Sequence, residues 1–488
     1  MDLSQFDARQ PARRLIIGLC LLFVALFSAP FAGGAQQTDG SLVAGWPTVG
    51  KIRPRAASEA RSTFWSVGAE TLDRDFATYA NYRQFLGPLG AKGLRLQTGW
   101  AKCERERGVY DWKWLDEIVD DAVHQGLRPW LETSYGNPIY PGGGGTSLGG
   151  GFPKSAEALA AWDRWVRALV RRYRDRVNEW EIWNEPDLTP SNAPSDYASL
   201  FIRTAEIVRQ EQPGARIYAL ALAGRLEFAE AFLRHVHEAG KTSLIDAVTI
   251  HGYPRNPDDT GNIDQMRKLL ARFAPGATVR QGETGAPSKR QAAFALANLD
   301  WSENTQAKWD LRRMLAHRAK DVPFNLFTIV DMQYQHNGKL EMNWKGLLAA
   351  NPDRTVAAAK PSYFAAQRVL AIWDDALQRA PETRVTTSLT ERVAATAYRK
   401  QERGSTLVAV WLSGAPPIES NAKKPVDVSV EGGTFSEPVY VDLLDGTVAR
   451  IPRDRWSSQA GQTIFRQIPV YDAPVVIADK PLLPIGEP

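Results

Sequence analysis

Val177-Asn178-Glu179-Trp180-Glu181-Ile182-Trp183-Asn184-Glu185-Pro186 is the stretch on which the fold turns. Residues 177–183 form an apolar-rich run that reads as a β-strand, and Pro186 with Asp187 ends it in a turn. Seven further runs of this kind lie at 64–70, 93–97, 127–135, 216–223, 246–253, 278–283 and 324–331. Segments of helical period separate them, for example 112–125, 155–173, 196–212, 228–239 and 304–319. Eight alternating strand and helix units predict a (β/α)8 TIM barrel, whose chemistry gathers at the C-terminal ends of the strands. The competing architecture, a doubly wound open sheet, lacks the Gly-rich phosphate loop that would open its first helix.

The texture changes after 361–373, which reads as the last barrel helix. Short alternating runs at 392–398, 406–412, 426–430, 438–443 and 474–477, separated by Gly, Pro, Ser and Asp, predict a C-terminal β-sandwich. The division expected is a catalytic barrel over 61–378 and a sandwich over 379–488, with 36–60 adding a strand to the sandwich. The sandwich reads as a rigid cap rather than a carbohydrate-binding module. At the amino end, Arg13 and Arg14 precede an apolar run to Phe31 and the small-residue segment 32–35. Residues 1–35 read as a secretory signal or an uncleaved N-terminal membrane anchor, which predicts a secreted or periplasmic location, with a membrane tether in the second case. Removal of the segment takes Cys20 with it and leaves Cys103 alone, so no internal disulfide can form.

Composition narrows the chemistry. The chain has 488 residues, 44% hydrophobic and 23% charged, with a formal net charge of +4. The cations are scattered among nearly as many acids, which argues against nucleic acid as a partner. Sixteen Trp are a telling excess, because indole faces stack on the C–H faces of sugars, although most are expected in the core and only a minority against ligand. His235 and His237 stand two apart in a helix and point to different faces, so they form no metal pair. A single Cys without a His partner offers no thiol catalysis, and nothing calls for a cofactor or a metal.

Strand parity locates the site. In 93–97, Arg95 and Gln97 turn towards the barrel axis; in 246–253, Thr249, His251 and Tyr253 do so. Glu181, Trp183 and Glu185 share one face, so Asn184 and Glu185 can serve one centre only if the strand end breaks its alternation. A carboxyl group beside an amide and an indole suits cleavage of a glycosidic bond, which needs a second carboxylate. Glu283 supplies it, closing the seventh strand as Glu185 closes the fourth. The expected partner is then an oligosaccharide or polysaccharide.

The paired motifs resemble glycoside hydrolase clan A, whose members carry the acid/base and the nucleophile at the ends of strands four and seven. Trp183-Asn184-Glu185-Pro186, His251-Gly252-Tyr253 and the trailing sandwich are most similar to family 39, as are Trp100, the turn Gly108-Val109-Tyr110-Asp111 and Tyr135-Gly136-Asn137-Pro138. The resemblance implies a retaining glycosidase with Glu283 as nucleophile and Glu185 as acid/base, the Glu283 anion raising the pKa of Glu185. Arg95 and Tyr253 are expected to donate to Glu283, and Asn184 to the sugar 2-hydroxyl. His251 either binds a hydroxyl, orients Tyr253 or is a buried structural histidine. Trp100, Tyr135, Asn137, Trp183 and Trp344 are candidate subsite residues, and Asp331, ending strand eight, binds a hydroxyl or caps the turn. Asp187 departs from the family pattern, in which Asn is common. The glycine-rich loop 142–151 reads as a mobile surface loop rather than a lid. Endo-cleavage is favoured over an exo-acting xylosidase-like enzyme, a transglycosylase or a non-catalytic binding barrel.

Overall fold

The computed structural model describes residues 43, 45–336, 339–374, 376–400 and 404–486. The expected signal or anchor and Cys20 lie outside the described residues. Eight parallel strands form one sheet: β1 (Trp65–Gly68), β2 (Gly93–Gln97), β3 (Arg128–Thr133), β4 (Glu179–Ile182), β5 (Arg216–Leu222), β6 (Ala247–His251), β7 (Thr278–Glu283) and β8 (Phe324–Leu326). Each pairs with the next, and β8 returns to β1 with Trp65 opposite Phe324. β7 meets β8 through Gln281 N–H to Pro323 O (2.8 Å) and Phe327 N–H to Thr284 O (2.8 Å), which closes the barrel.

The helices form for local reasons. In Ala156–Tyr173 the buried side chains Ala158, Ala161, Trp162, Trp165, Val166, Leu169, Val170 and Tyr173 fall at helical spacing, so one face covers the sheet. Ser155 caps the helix by accepting from Ala158 N–H. β8 stops at Leu326, short of the expected 331. Beyond it the backbone leaves the ladder and bonds to loops, Thr328 N–H to Lys345 O and Ile329 N–H to Gly68 O.

The C-terminal strands make two antiparallel sheets. The larger contains Val393–Lys400, Thr406–Leu412, Val475–Asp479, Pro438–Asp442 and Thr447–Arg450, and Thr48–Ile52 from the amino-terminal side is inserted between Thr447–Arg450 and Ile485–Gly486. The smaller is built on Lys424–Glu431 and Gln462–Val470. Strand Thr406–Leu412 divides its side chains by parity. Val408 and Val410 join the core between the two sheets, while Leu407, Ala409 and Trp411 join the large core that includes the barrel.

Polar contacts fix the same boundary. Asp258, in the segment after β6, accepts from Arg312, from Trp411 Nε1 (2.9 Å) and from Gly414 N–H (2.9 Å). Arg312 is buried, so removing its carboxylate strands a charge. Asp258→Ala is expected to destabilise the protein by about 3–5 kcal/mol, read as a lowered melting temperature, whereas Asp454→Ala on the exposed surface should melt like the parent.

Candidate active site

Arg95 is fully buried on the barrel axis and organises the mouth. Its Nε donates to Glu181 (2.7 Å), Nη1 to Glu70 (3.0 Å) and, at a longer 3.4 Å, to Glu283; Nη2 donates to Glu132 and to Asn184 Oδ1 (2.9 Å). Four carboxylates around one guanidinium cannot all ionise cheaply. Burial pushes Glu70 up to about 7 and Glu132 well above the usual carboxylate range. The sheet register sets this cluster, because Gly68, Arg95 and Trp130 lie level across β1, β2 and β3, and Glu132 stands beside Glu181.

The strand-four end breaks its alternation, as the site requires. Trp183 has φ 66° and Glu185 φ 47°, both left-handed, a conformation that costs L-residues roughly 1–2 kcal/mol each. The break turns Trp183 outward among Tyr135, Phe152 and Trp162 and swings Asn184 inward. Asn184 accepts from Arg95 and donates from Nδ2 to the Tyr135 hydroxyl (3.0 Å), leaving one amide N–H unused by these contacts. An irregularity in β5 supports Glu185, whose N–H donates to Ala221 O (3.1 Å).

Glu283 accepts from the Tyr253 hydroxyl at Oε1 and from Arg95 at Oε2. His251 Nδ1 lies 2.8 Å from Glu185 Oε1 and 3.6 Å from Glu283 Oε2. One donor atom each of Glu185, His251 and Glu283 fall within 4.8 Å of one another. Arg95 at Glu283 disfavours a cation there.

Glu185 is pushed up to about 8, first by burial and then by the charge of Asp187. The expected cause, the Glu283 anion, is not the source; Arg95 and Tyr253 hold that carboxylate and offset its charge. Asp187 is fixed by three backbone N–H groups, those of Ala223 (2.9 Å), Gly224 (3.0 Å) and Arg225 (2.9 Å). Burial also lowers His251 to about 4, so its imidazole is neutral near pH 7. It binds Glu185 rather than Tyr253.

Four expected subsite residues sit elsewhere. Trp100 is buried against Tyr140, Trp162 and Trp165, with its Nε1 on Glu104 (2.5 Å). Asn137 is buried and staples its loop, donating to Glu104 O (2.8 Å) and accepting from Ile139 N–H (3.2 Å). Trp183 belongs to the aromatic core described above. Asp331 lies beyond β8, paired with buried Lys360 (2.7 Å) and accepting from Gly346 N–H (2.9 Å). Their aromatic or polar character is used for packing and loop closure, which sequence alone does not separate from sugar contact. Trp344 is half-buried under the Lys289 ammonium (4.7 Å).

Other residues reach the mouth without having been expected there. Arg74 lies over the Tyr135 ring (4.9 Å), and Tyr334 packs on Phe76 and Phe294. Lys345 is buried over the Tyr253 ring (5.2 Å), and burial lowers it to about 7 against the opposing pull of Glu283. Arg74 and Lys345 lie on loops, where no periodicity announces direction, and Tyr334 lies on the short strand Met332–His336 beyond β8.

Residues 97–281 match the model of Glycosyl hydrolases family 39. Over that stretch the barrel is similar to glycoside hydrolase family 39. Solved structures agree in fold. A family 39 glycoside hydrolase from the gut symbiont Bacteroides cellulosilyticus has TM-score 0.63 and 19% identity, over 88% of this chain and 83% of that one. A monomeric beta-xylosidase from Caulobacter crescentus has TM-score 0.58 and 17% identity, over 88% and 97%. A family 39 enzyme from Xanthomonas axonopodis pv. citri has TM-score 0.57 and 18% identity, over 88% and 97%. At such identities the likeness is one of fold. The match ends at 281, two residues before Glu283, so the second glutamate stands on the geometry rather than on the family match.

The elevated Glu185 pKa has a stability consequence. The folded state binds this proton more tightly than the unfolded chain, so the associated stability is complete below pH 4.5 and is lost as pH rises towards 8. Glu185→Gln is therefore expected to be more stable than the parent by about 5 kcal/mol at pH 9 and to show little gain at pH 4. Melting curves of both proteins across that range provide the comparison.

Proposed function

We propose that the enzyme is a retaining, endo-acting glycoside hydrolase that cleaves an extracytoplasmic polysaccharide by double displacement. The observation that carries the mechanism is the approach of Glu185 and Glu283 to within 4.8 Å at the barrel mouth. Retaining enzymes hold their carboxyl groups about 5–5.5 Å apart, whereas inverting enzymes need about 6.5–9.5 Å to admit a water.

Glu283 attacks the anomeric carbon while its remaining charge is held by Tyr253 and Arg95. Glu185, protonated below about pH 8, gives its proton to the leaving oxygen. The free N–H of Asn184 serves the 2-hydroxyl, where a hydrogen bond strengthens as the transition state forms. Once Glu283 is esterified, Arg95 has one fewer carboxylate to balance. Its charge, which already draws the Glu185 pKa down, then acts more strongly, and Glu185 accepts a proton from the incoming water. An acceptor sugar in place of water gives transglycosylation with the same residues.

The polysaccharide reading rests on the secretory-type amino terminus and on the cleft beside the site. Among the described residues no helix is long and apolar enough to cross a membrane. Activity confined to short aryl xylosides would favour the exo-acting alternative.

Three outcomes are expected. Glu283→Gln lowers kcat by at least about 10⁴-fold, with the fold retained by circular dichroism. A 2-deoxy-2-fluoro glycoside inactivator labels Glu283 in peptide mass spectra, and labelling of any other residue overturns the assignment. The rate on aryl glycosides falls above about pH 8 as Glu185 loses its proton. A panel of 4-nitrophenyl glycosides and bacterial exopolysaccharides identifies the sugar.

A further inference from the structure

A cleft of about 420 Å³ opens beside the catalytic centre, between the loops that follow β1, β2 and β3. Its size lies within the roughly 300–1,000 Å³ of ligand pockets. Tyr135 is the partition between the two spaces. Its hydroxyl accepts from Asn184 Nδ2 (3.0 Å) on the catalytic side, and its residue lines the cleft on the other. A ligand filling the cleft is therefore an immediate neighbour of a sugar held at Glu185 and Glu283.

The lining has the chemistry of a polyol site. Arg74 donates from Nε to Asp73 (3.2 Å) and from Nη2 to Gln97, and its Nη1 has no protein acceptor among the described residues. Lys102 pairs with Asp75 (2.7 Å). Arg105 is exposed and makes no ion pair among the described residues. Thr146 and Ser147 add hydroxyl groups from the opposite wall. Such a mixture of fixed donors and acceptors suits neighbouring sugar hydroxyls, which offer both.

The opposite wall comes from the glycine-rich loop, which backbone hydrogen bonds fold into a ribbon. Gly136 N–H donates to Gly145 O (2.8 Å), Asn137 N–H to Gly143 O (2.9 Å), and Gly145 N–H to Gly150 O (2.7 Å). The backbones approach so closely that a Cβ on Gly136 would lie 2.4 Å from Gly143 O, and one on Gly144 2.3 Å from Gly151 O. Glycine is required there because strand-like segments touch, and the touching presents Thr146 and Ser147 to the cleft.

We propose that this cleft is a second sugar subsite, holding the chain unit next to the one attacked by Glu283, with the glycine ribbon as its outer wall. The inference rests on the hydrolase reading above and gives it a physical basis for preferring chains over single units. The test fills the cleft without touching the catalytic groups, using Ala101→Trp from the helix Trp100–Cys103 and, independently, Thr146→Trp from the ribbon. Substrates are the 4-nitrophenyl monoglycoside turned over by the parent enzyme and its 4-nitrophenyl di- and trisaccharide homologues. The parent should show kcat/KM rising at least tenfold from the mono- to the trisaccharide glycoside. Both variants should abolish that rise, mainly through KM, while keeping monoglycoside turnover within twofold. A retained chain-length preference in a folded variant overturns the subsite and leaves the hydrolase reading standing. Equal losses on all substrates also overturn it. A parent enzyme that cleaves none of the glycosides or exopolysaccharides overturns the hydrolase reading itself.

Discussion

One guanidinium in a closed barrel sets the terms for everything at its mouth. Arg95 stands where a barrel interior is ordinarily filled by aliphatic side chains, and a buried cation is tolerable only with its bonds satisfied. Glu70 just after β1, Glu132 in β3 and Glu181 in β4 supply that balance, and Asn184 and Glu283 take the remaining donors. The cluster therefore does two things at once. It replaces an apolar layer of the core with an ionic one, and it holds the amide and one carboxylate of the site in fixed positions. Partial neutralisation of Glu70 and Glu132 keeps the summed negative charge low enough for Glu283 to lie close by.

The two glutamates of the centre differ because their surroundings differ. Glu283 is held by donors that favour its anion. Glu185 has a neutral imidazole as its neighbour, an apolar setting and the fixed charge of Asp187 behind it, all of which favour its acid form. Two identical side chains thereby stand in contrasting surroundings across the same small gap. The left-handed backbone at Trp183 and Glu185 is the local cost of this placement, as strain commonly is at functional sites.

The barrel was legible in the sequence because period-2 and period-3.6 patterns alternate eight times, and the paired glutamates were legible because strand ends converge in such a barrel. Parity placed Arg95, Gln97, Thr249 and His251 inward, where they lie. It could not say how many acids would share Arg95, since register between strands is set by the whole sheet. Trp100 and Trp183 show the limit for aromatics: an indole on a helix or at a strand break packs into the core as readily as onto a sugar. Arg74 and Lys345 show the limit for loops, whose direction depends on backbone bonds to distant residues. The cause of the raised Glu185 pKa was not legible, because it is burial in the folded mouth first and then Asp187, which backbone donors from the loop after β5 fold back behind it.

The amino-terminal strand Thr48–Ile52 lies between Thr447–Arg450 and Ile485–Gly486 in the larger C-terminal sheet. During synthesis this strand therefore has no partner until residue 447 has emerged, although the chain for the whole barrel is complete well before then. The early chain must carry an unpaired strand past a folding barrel, and that sheet closes only when residues 485–486 arrive. Its formation reports that synthesis has passed residue 486, so products truncated before that point would be left with an open edge for proteases and chaperones to recognise.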